Sequence, residues 1–555
     1  MKRHLEQVDT ADTFGLLNML TSNTAHFVKH PDGDVLHPFT AAPVLQYVTQ
    51  AALLAASDKP RGKLLTGTGL AWMVQMGHEV LSPPHLPDDV ISKMTLDELA
   101  IEFFVPLVRH QGRLQNEHFL WTAAQQWQLF NIIPRRDHAL LRRRAGGDYI
   151  DIPAAIEKQL GMPVEDVFTV ACAVYAMNMT GTRALSQDLQ AAPAALAPHQ
   201  KVEWFVDRAR AQQRPLGAIF TVQDLQTILK DDTPHRARAW LQVFSARPSQ
   251  LKLMTRRESR YTAGELTFQV LPLENVPVAR LGGGRYVIPN VQSFTAGLPH
   301  LCELQALRNW PARERQRLRS TLGHIQEIYL VQVTRAALAG RAVLIPEREY
   351  RRPVDDNLVR GPDLTIVEGD SVVMVESKAM LFSDEARVGV GVAPFEAVDA
   401  RMTEVVVKAV WKAADLLNPA VRTYDSDRAA LSTVDPARVI TVIVHAEHLH
   451  GYNVTWQARY RAAGHPLHQH APAFIALSTE EYTYFVDAAR HLERPLHDLL
   501  REQIDEIAQR DVGLDRSVIE GTQIDRQSIL RRQFSEFVDA IEERWSARDG
   551  ARPLD

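Results

Sequence analysis

The chain is short of cysteine, because only Cys172 and Cys302 occur among its 555 residues. So few thiols exclude a disulfide framework and fit a reducing compartment. No uninterrupted apolar run approaches the length of a membrane span. The first residues, Met-Lys-Arg-His-Leu-Glu, lack the apolar stretch of a signal peptide. We therefore expect a cytoplasmic protein with no membrane partner.

Several catalytic motifs are also missing. The sequence contains no Walker A motif, no Gly-x-Ser-x-Gly elbow and no His-Glu-x-x-His, so nothing supports an ATPase or a serine hydrolase. Helicase and methyltransferase signatures are lacking too. The glycines at 282–284 are followed by neither Lys-Ser/Thr nor a helix pattern. They predict a hairpin turn between the extended runs 276–281 and 285–289, and not a phosphate loop. A further strand is predicted at 266–271.

An excess of positive charge is absent, because the formal net charge is −5. The chain is therefore not basic overall, and contacts with phosphates would need a local positive surface. Arginines cluster in three places, and each cluster is either a phosphate-contacting surface or a solvated face. The clusters are Arg135, Arg136, Arg142, Arg143 and Arg144, then Arg256, Arg257 and Arg260, then Arg308, Arg313, Arg315, Arg317 and Arg319.

Residues 361–378, Gly-Pro-Asp-Leu-Thr-Ile-Val-Glu-Gly-Asp-Ser-Val-Val-Met-Val-Glu-Ser-Lys, are the most informative stretch. Two apolar runs flank Gly369-Asp370, which is typical of a two-residue hairpin loop. Counting outward from this loop places Asp363 opposite Glu376. Glu376 and Lys378 share a face because side chains alternate along a strand. The hairpin therefore predicts that Asp363, Glu376 and Lys378 converge.

Two carboxylates beside a lysine are costly in a half-buried sheet unless a cation holds them. Hard divalent cations prefer oxygen ligands, and Mg²⁺ is the usual one in phosphate chemistry. The alternative is an edge hairpin with solvated charges. The run Val372-Val373-Met374-Val375 favours the metal site, because it is typical of a buried strand leading directly into Glu376.

Pro362-Asp363, a short hairpin and then Glu376-Ser377-Lys378 resemble the PD-(D/E)xK nuclease superfamily, which has the restriction-endonuclease-like fold. The resemblance covers about 315–495. Around it the sequence predicts a helix at 313–338, a strand at 342–345, a helix at 394–418, strands at 439–444 and 473–477, and a helix capped by Ser478 or Thr479. The resulting order, α-β-β-β-α-β-β-α, is the core order of the resembled fold.

The resemblance implies roles for individual residues. Asp363 and Glu376 would bind Mg²⁺ or Mn²⁺, with the Ser377 carbonyl as a third ligand, and Lys378 would orient the attacking water. Members often place one more acid on the first helix, which here is Glu327, and the alternative is an ordinary solvent-facing glutamate. A polar residue on the helix after the Glu-x-Lys strand would be Lys408 or Lys412, for which a solvated helix face is the alternative.

The length of 555 residues is too great for one core and predicts several domains. We predict a helical N-terminal region at 1–195, a helical segment with a small β element at 196–312, the nuclease domain at 313–495 and a helical tail at 496–555. The fold class is thus mixed α+β and α/β, with a mostly helical N-terminal region, a restriction-endonuclease-like mixed-sheet domain and a helical tail. The N-terminal region is a candidate surface for a homo-oligomer contact or a partner protein.

Histidines crowd two short segments, and such a cluster either binds Zn²⁺ or forms a polar loop patch, which the missing cysteines favour. They are His445, His448 and His450, then His465, His468 and His470.

The sequence therefore predicts a metal-dependent endonuclease acting on DNA, as in bacterial restriction or antiphage systems. Its proposed DNA contacts are Arg313, Arg315, Arg317, Arg319 and Lys408. The alternatives are an RNA-directed nuclease and a non-catalytic nucleic-acid-binding scaffold that keeps the fold.

Overall fold

A computed structural model describes most of the chain in segments. These are residues 5–22, 42–59, 61, 63, 119–193, 195–196, 198–231, 233–259, 271–351, 358–379, 404–409, 411–412, 415–418, 424–446, 473–510 and 529–546. The histidines at 448–470, Arg260, the predicted strand at 266–270 and the predicted helical residues 394–403 lie outside these segments.

Helices make up most of the described structure. They are α1 (Thr10–Ser22), α2 (Ala42–Ala55), α3 (Phe119–Trp127), α4 (Ile133–Arg136), α5 (His138–Ala145), α6 (Ile152–Leu160), α7 (Val164–Gln190), α8 (Pro198–Ala211), α9 (Val222–Leu229), α10 (His235–Phe244), α11 (Pro248–Glu258), α12 (Leu271–Asn275), α13 (Val291–Gly297), α14 (Leu301–Asn309), α15 (Ala312–Leu338), α16 (Asp425–Leu431), α17 (Thr479–His491), α18 (Leu496–Arg510) and α19 (Ile529–Ser546). Helical stretches also lie at 404–409, 411–412 and 415–417.

The strands form two mixed sheets and a two-stranded ribbon, so the fold is an α+β mixture. The strands are β1 (Phe220–Thr221), β2 (Ser245–Ala246), β3 (Val278–Arg280), β4 (Arg285–Val287), β5 (Val343–Pro346), β6 (Glu349–Arg351), β7 (Leu358–Arg360), β8 (Leu364–Glu368), β9 (Ser371–Lys378), β10 (Val439–His445) and β11 (Phe474–Ser478). The smaller sheet has the order β1-β4-β3-β2, the larger has the order β11-β10-β9-β8-β5, and β6 pairs with β7.

The larger sheet contains the predicted hairpin in the predicted register. Glu368 pairs with Ser371 next to the loop, and Leu364 pairs with Val375 at the far end. β8 is antiparallel to β5 and β9, whereas β9, β10 and β11 run parallel. Gly369 takes a φ of 64°, which glycine adopts without a steric penalty. The register is therefore confirmed, and it follows from a turn of two residues.

The two faces of this sheet pack against different helices. Val373 and Val375 belong to a large core that includes residues of α15 and α17. Their neighbours Val372 and Met374 belong to a smaller core with Leu416. The side chains of β9 alternate between the faces as a strand requires. Helices therefore cover both faces, which explains why residues 372–375 of β9 are apolar without interruption.

Most of the predicted elements around this sheet are present. The first helix, the strands at 439 and 474 and the helix at 479 lie within two residues of the predicted bounds. Ser478 caps α17, because its hydroxyl accepts a hydrogen bond from the Glu481 N–H and the Glu481 side chain accepts one from the Ser478 N–H. The predicted strand at 266–271 is wrong at its last residue, since Leu271 begins α12. Pro272 follows there, and proline suits the first turn of a helix.

The large core extends beyond the sheet. It joins β8 to β11 with residues of α3 and α7 before them and of α19 after them. A second core combines α1, α2, α8 and α11 with the smaller sheet. These two cores do not define domain boundaries, so the boundaries at 195, 312 and 495 stay predictions.

Asn18 links α1 to three other segments of the chain. Its Nδ2 donates to Asn178 Oδ1 (2.6 Å) and to the Ile288 carbonyl (2.8 Å), and its Oδ1 accepts from the Ala218 N–H (2.9 Å). This buried amide therefore has its hydrogen bonds satisfied, which fixes where the 216–218 backbone crosses α1.

By length and composition, no single described helix could cross a membrane. One pair, 152–160 with 164–185, passes the same test together despite a bend of 61°.

The crossing of the 216–218 backbone over α1 gives a stability prediction. A Cβ on Gly217 would lie 2.2 Å from the Gly15 carbonyl oxygen and 2.6 Å from its Cα, and both belong to the backbone. Gly217→Ala should therefore lower the free energy of unfolding by about 1–3 kcal/mol in denaturant titrations.

Gly323→Ala is the matched control. Gly323 lies inside α15, and among the described residues a Cβ there meets nothing within 4 Å. This substitution should stabilise the protein by up to about 1 kcal/mol, because alanine is the better helix former. Equal effects of the two substitutions would contradict the close crossing.

Candidate active site

Acidic side chains gather at one end of the larger sheet. Asp363 directly precedes β8, and Glu376 lies near the end of β9. The register that pairs Leu364 with Val375 makes Asp363 the next residue opposite Glu376. Alternation places Glu376 on the face of Met374, which packs toward Leu416. Glu376 is only 5% exposed, so its charge must be balanced locally.

Two lysines balance the Glu376 carboxylate. Lys378 Nζ lies 2.9 Å from Glu376 Oε1. Lys412 Nζ lies 2.9 Å from Oε1 and 2.8 Å from Oε2. Burial lowers the pKa of Lys412, but the charge and hydrogen bonds of Glu376 outweigh it and raise that pKa overall. Lys412, one of the two polar residues considered on that helix, therefore reaches the site as a cation.

The Asp363 carboxyl carries the clearest sign of crowding. Burial raises its pKa to about 7, and the charges of Glu376 and Glu327 act in the same direction. The Lys412 ammonium and the Ser377 N–H, which donates to Asp363 Oδ2 at 2.6 Å, oppose the shift. Burial and carboxylate repulsion therefore outweigh the neighbouring cation and favour the protonated form of Asp363.

Glu327 belongs to this cluster and is not an ordinary solvent-facing residue. It lies in the middle of α15, and its Oε2 is 3.2 Å from Arg144 Nη1 and 3.2 Å from His324 Nδ1. The hydrogen bond to Glu327 raises the pKa of His324, although burial lowers it. A cation from α5 and an imidazole one helical turn away thus hold this carboxylate in place.

Glu347 is a fourth carboxyl, which the sequence did not lead us to expect. It follows β5, and its N–H donates to the Asp363 carbonyl at 3.0 Å. Burial raises its pKa, as do the charges of Glu327 and Glu376, against Lys412 and Arg360. The pairing of Pro346 with Leu364 carries Glu347 alongside Asp363. The register of β5 against β8 is the feature that would have identified Glu347. It is not evident from the sequence, because a long connection separates the two strands.

The arginines at 313–319 lie at the start of α15, away from the carboxyl cluster. Arg313 and Arg319 are exposed. Arg317 donates to the Tyr149 carbonyl. Arg315 is half-buried. From Arg319 to Glu327 the helix axis advances by about 12 Å.

Lys408 does not join the cluster either. It pairs with Glu404 one turn before it, and 67% of its side chain is exposed. This is the solvated-face arrangement weighed for it from the sequence. Lys412 lies one turn further along and is the residue that faces the sheet.

Two further predicted residues, Ser377 and His445, lie on the neighbouring strands β9 and β10. His445 is buried on β10, where it pairs with Lys378 on β9 and with Ser478 on β11. Ser377 is buried, and its hydroxyl has no hydrogen-bond partner among the described residues. The other histidines lie outside the described segments, so the zinc alternative stays a prediction.

The donor set fits a hard divalent cation. Burial and mutual repulsion raise the pKa of Asp363 and Glu347, and a cation among these oxygens would relieve that cost. Within the described segments no three Asp, Glu, His or Cys side chains are already arranged around a metal position. Glu376 instead holds two ammonium groups, so a cation would bind there in exchange for at least one of them.

Comparison of the chain with protein-family models, with curated proteins and with solved structures finds no match. The proposed function therefore rests on the geometry of the carboxyl cluster.

The raised pKa of Asp363 gives a pH prediction. Its ordinary value is 3.8 and its value in the fold is about 7, so the folded state holds a proton that the unfolded state releases. Stability from this group is present below about pH 4 and is lost as the pH rises to 7. Asp363→Asn removes this loss and should stabilise the protein above pH 7 by on the order of 1–4 kcal/mol.

Denaturant titrations at pH 5 and pH 8 with a chelator would measure this effect. Asp370→Asn is the control, because Asp370 lies in the loop of the same hairpin and is 61% exposed. Its effect should not grow with pH in this way. A difference between Asp363→Asn and wild type that stays constant from pH 5 to pH 8 would contradict the raised pKa of Asp363.

Proposed function

We propose that the chain is a Mg²⁺- or Mn²⁺-dependent endonuclease of the PD-(D/E)xK type that cleaves phosphodiester bonds in DNA. The observation that carries the proposal is the convergence of Asp363, Glu376 and Lys378 at adjacent strand ends, with a pKa of about 7 for Asp363. Perturbed carboxyls beside lysines are typical of functional sites.

The strand arrangement supports the same proposal. The resembled fold has a core order of α-β-β-β-α-β-β-α. With the β6–β7 ribbon and α16 as insertions, α15, β5, β8, β9, the helical stretches at 404–409, 411–412 and 415–417, β10, β11 and α17 follow it. The site residues lie at the ends of β8 and β9, within the sheet on which that family carries its acids. A fold alone does not give a function, so this is supporting evidence only.

Asp363 and Glu376 would hold the cation, with Glu327, Glu347 and the Ser377 carbonyl available nearby. When bound, the cation supplies Lewis-acid polarisation of the scissile phosphate. Lys378 and Lys412 pair with Glu376 until a cation takes the place of at least one of them. They would orient the attacking water and stabilise the negative charge that develops on the phosphate oxygens. Arg144 and His324 would fix the position of Glu327.

A phosphate path past this site would use exposed arginines. Arg142 and Arg143 are exposed on α5, next to Arg144, which reaches Glu327. Arg313 and Arg319 are also exposed, but they are further along α15. Both sets are candidates for nonspecific contacts with DNA phosphates. Arg142 and Arg143 are the better candidates, because they are closer to the site.

The site recognises phosphate, so RNA is an alternative substrate and a non-catalytic scaffold is the alternative role. A scaffold gives no reason to bury two acids of raised pKa, and this favours the enzyme. A role in bacterial restriction or antiphage defence extends the proposal by analogy. A cytoplasmic location is part of the same proposal.

The decisive test incubates the full chain with plasmid, linear duplex, single-stranded DNA and RNA in Mg²⁺, Mn²⁺ or EDTA. We expect cleavage of DNA that EDTA abolishes. Asp363→Ala, Glu376→Ala and Lys378→Ala should each lower the rate by about a hundred-fold or more, because each removes a charge from the reacting centre.

Lys408→Ala is the matched control, because it removes an exposed lysine of the same region and should leave the rate unchanged. Thermal melts would verify that each variant is folded. Cleavage of RNA alone would make RNA the substrate. Equal rates for wild type and all three site variants would mean that the activity lies elsewhere.

The phosphate path is tested by binding in EDTA. The double variant Arg142→Ala with Arg143→Ala should weaken binding to any DNA sequence. The slope of log K against log salt should flatten by about 0.9 for each phosphate that the protein no longer neutralises. Arg313→Ala with Arg319→Ala, which removes the same charge, should weaken binding less. A larger effect of the second pair would place the path along α15.

A further inference from the structure

A half-open cavity of about 460 Å³ lies at the surface beside the second core, apart from the carboxyl cluster. The start of α1, the chain after α2, the start of α11 and the β3–β4 hairpin line it. Its volume falls in the range of about 300–1,000 Å³ that is usual for small-molecule sites. None of the nuclease-site residues lines this cavity.

The lining of the cavity is basic. Among the described residues it contains Lys59, Arg247, Arg280 and Arg285 against two acids, Asp9 and Asp58. Both acids accept hydrogen bonds from helix starts. Four cations against two acids leave the lining with an excess of positive charge that would attract an anion.

Asp9 and Asp58 each accept hydrogen bonds from residues at the start of a helix. Asp9 Oδ1 accepts from the Ala11 N–H at 2.9 Å. Asp58 accepts from the Ser249 N–H at 2.9 Å and from the Ser249 hydroxyl at 2.6 Å. The two carboxylates thus act as helix caps for α1 and α11.

Arg280 is the most specific feature. It lies at the end of β3, and its Nε–H is buried without a hydrogen-bond partner in the part of the chain that the structure describes. Because Arg280 as a whole is half-buried and lines the cavity, its positive charge is within reach of an anionic ligand there. Arg285 enters from the other strand of the hairpin, and its Nε donates to the Gly282 carbonyl at 3.1 Å, which orients the guanidinium.

We propose that this cavity binds a phosphorylated small molecule. The phosphate oxygens would lie against Arg247, Arg280 and Arg285, and Pro248 and Leu281 would contact the uncharged part of the ligand. Guanidinium groups suit phosphate because they donate in pairs. The concave lining favours a small molecule over a nucleic-acid backbone, which needs an extended surface.

Isothermal titration of the full chain with inorganic pyrophosphate tests the proposal, with inorganic phosphate as the weaker probe and sodium chloride at equal ionic strength as the blank. We expect saturable pyrophosphate binding and a rise in melting temperature. Arg280→Ala and Arg285→Ala should each weaken binding about ten- to a hundred-fold, as expected when a charged hydrogen bond is removed.

Arg257→Ala is the matched control. Arg257 is exposed on α11 but does not line the cavity, so its variant should bind like wild type. If Arg280→Ala fails to fold, Arg285→Ala still tests the site, because Arg285 is exposed.

Three results would overturn the proposal. One is the absence of pyrophosphate binding at millimolar concentration. Another is equal binding by wild type and both cavity variants. The last is binding of a duplex oligonucleotide, without pyrophosphate binding, that Arg280→Ala and Arg285→Ala weaken, which would make the cavity part of a nucleic-acid path. Because the carboxyl cluster takes no part, failure here leaves the nuclease proposal standing, and loss of nuclease activity leaves this one standing.

Discussion

The buried carboxylate of Glu376 is the constraint on which the site depends. A carboxylate that is 5% exposed is stable only with charged partners and hydrogen bonds. Lys378 supplies one partner from the same strand, and Lys412 supplies the other from the helical stretch that covers that face of the sheet. The ion pairs that neutralise Glu376 therefore also fix where that helical stretch docks, so the site and the local fold share the same interactions.

Charged groups are unfavourably placed in two regions of the molecule. Around Asp363, four of the described carboxyls lie near two lysines, Arg144 and His324, and burial, together with repulsion between the carboxyls, raises the pKa of Asp363 and Glu347. Around the cavity at Arg280, basic side chains exceed acids whose oxygens already cap helices. Such placements cost stability, and they are typical of functional sites.

Local patterns predicted the hairpin and the strands well. The register of β8 and β9 followed from a two-residue loop, and the alternation of side chains then brought Asp363, Glu376 and Lys378 together. The capping of α17 by Ser478 was equally local. Strand 266–271 failed at Leu271 because an apolar run does not distinguish a short helix from a strand.

The rest of the cluster could not be predicted because its partners are distant in sequence. Arg144 contacts Glu327, which lies 183 residues later in the chain, and no motif near either residue predicts this contact. Glu347 depends on the register of β5 with β8, which a long connection leaves undetermined. The cavity combines four segments between Asp9 and Arg285, so it has no signature in any one of them.

The contact between Arg144 and Glu327 also bears on how the chain is organised. Arg144 lies on α5 in the predicted N-terminal region, and Glu327 lies on α15 in the predicted nuclease domain. The same large core joins α3 and α7 with the five-stranded sheet and α19. A fragment limited to 313–495 would lose both the cation that holds Glu327 and much of the apolar cover of α15. An unpaired acid in this cluster would add to the repulsion on Asp363, so the helical N-terminal region stabilises the arrangement of the carboxyl cluster.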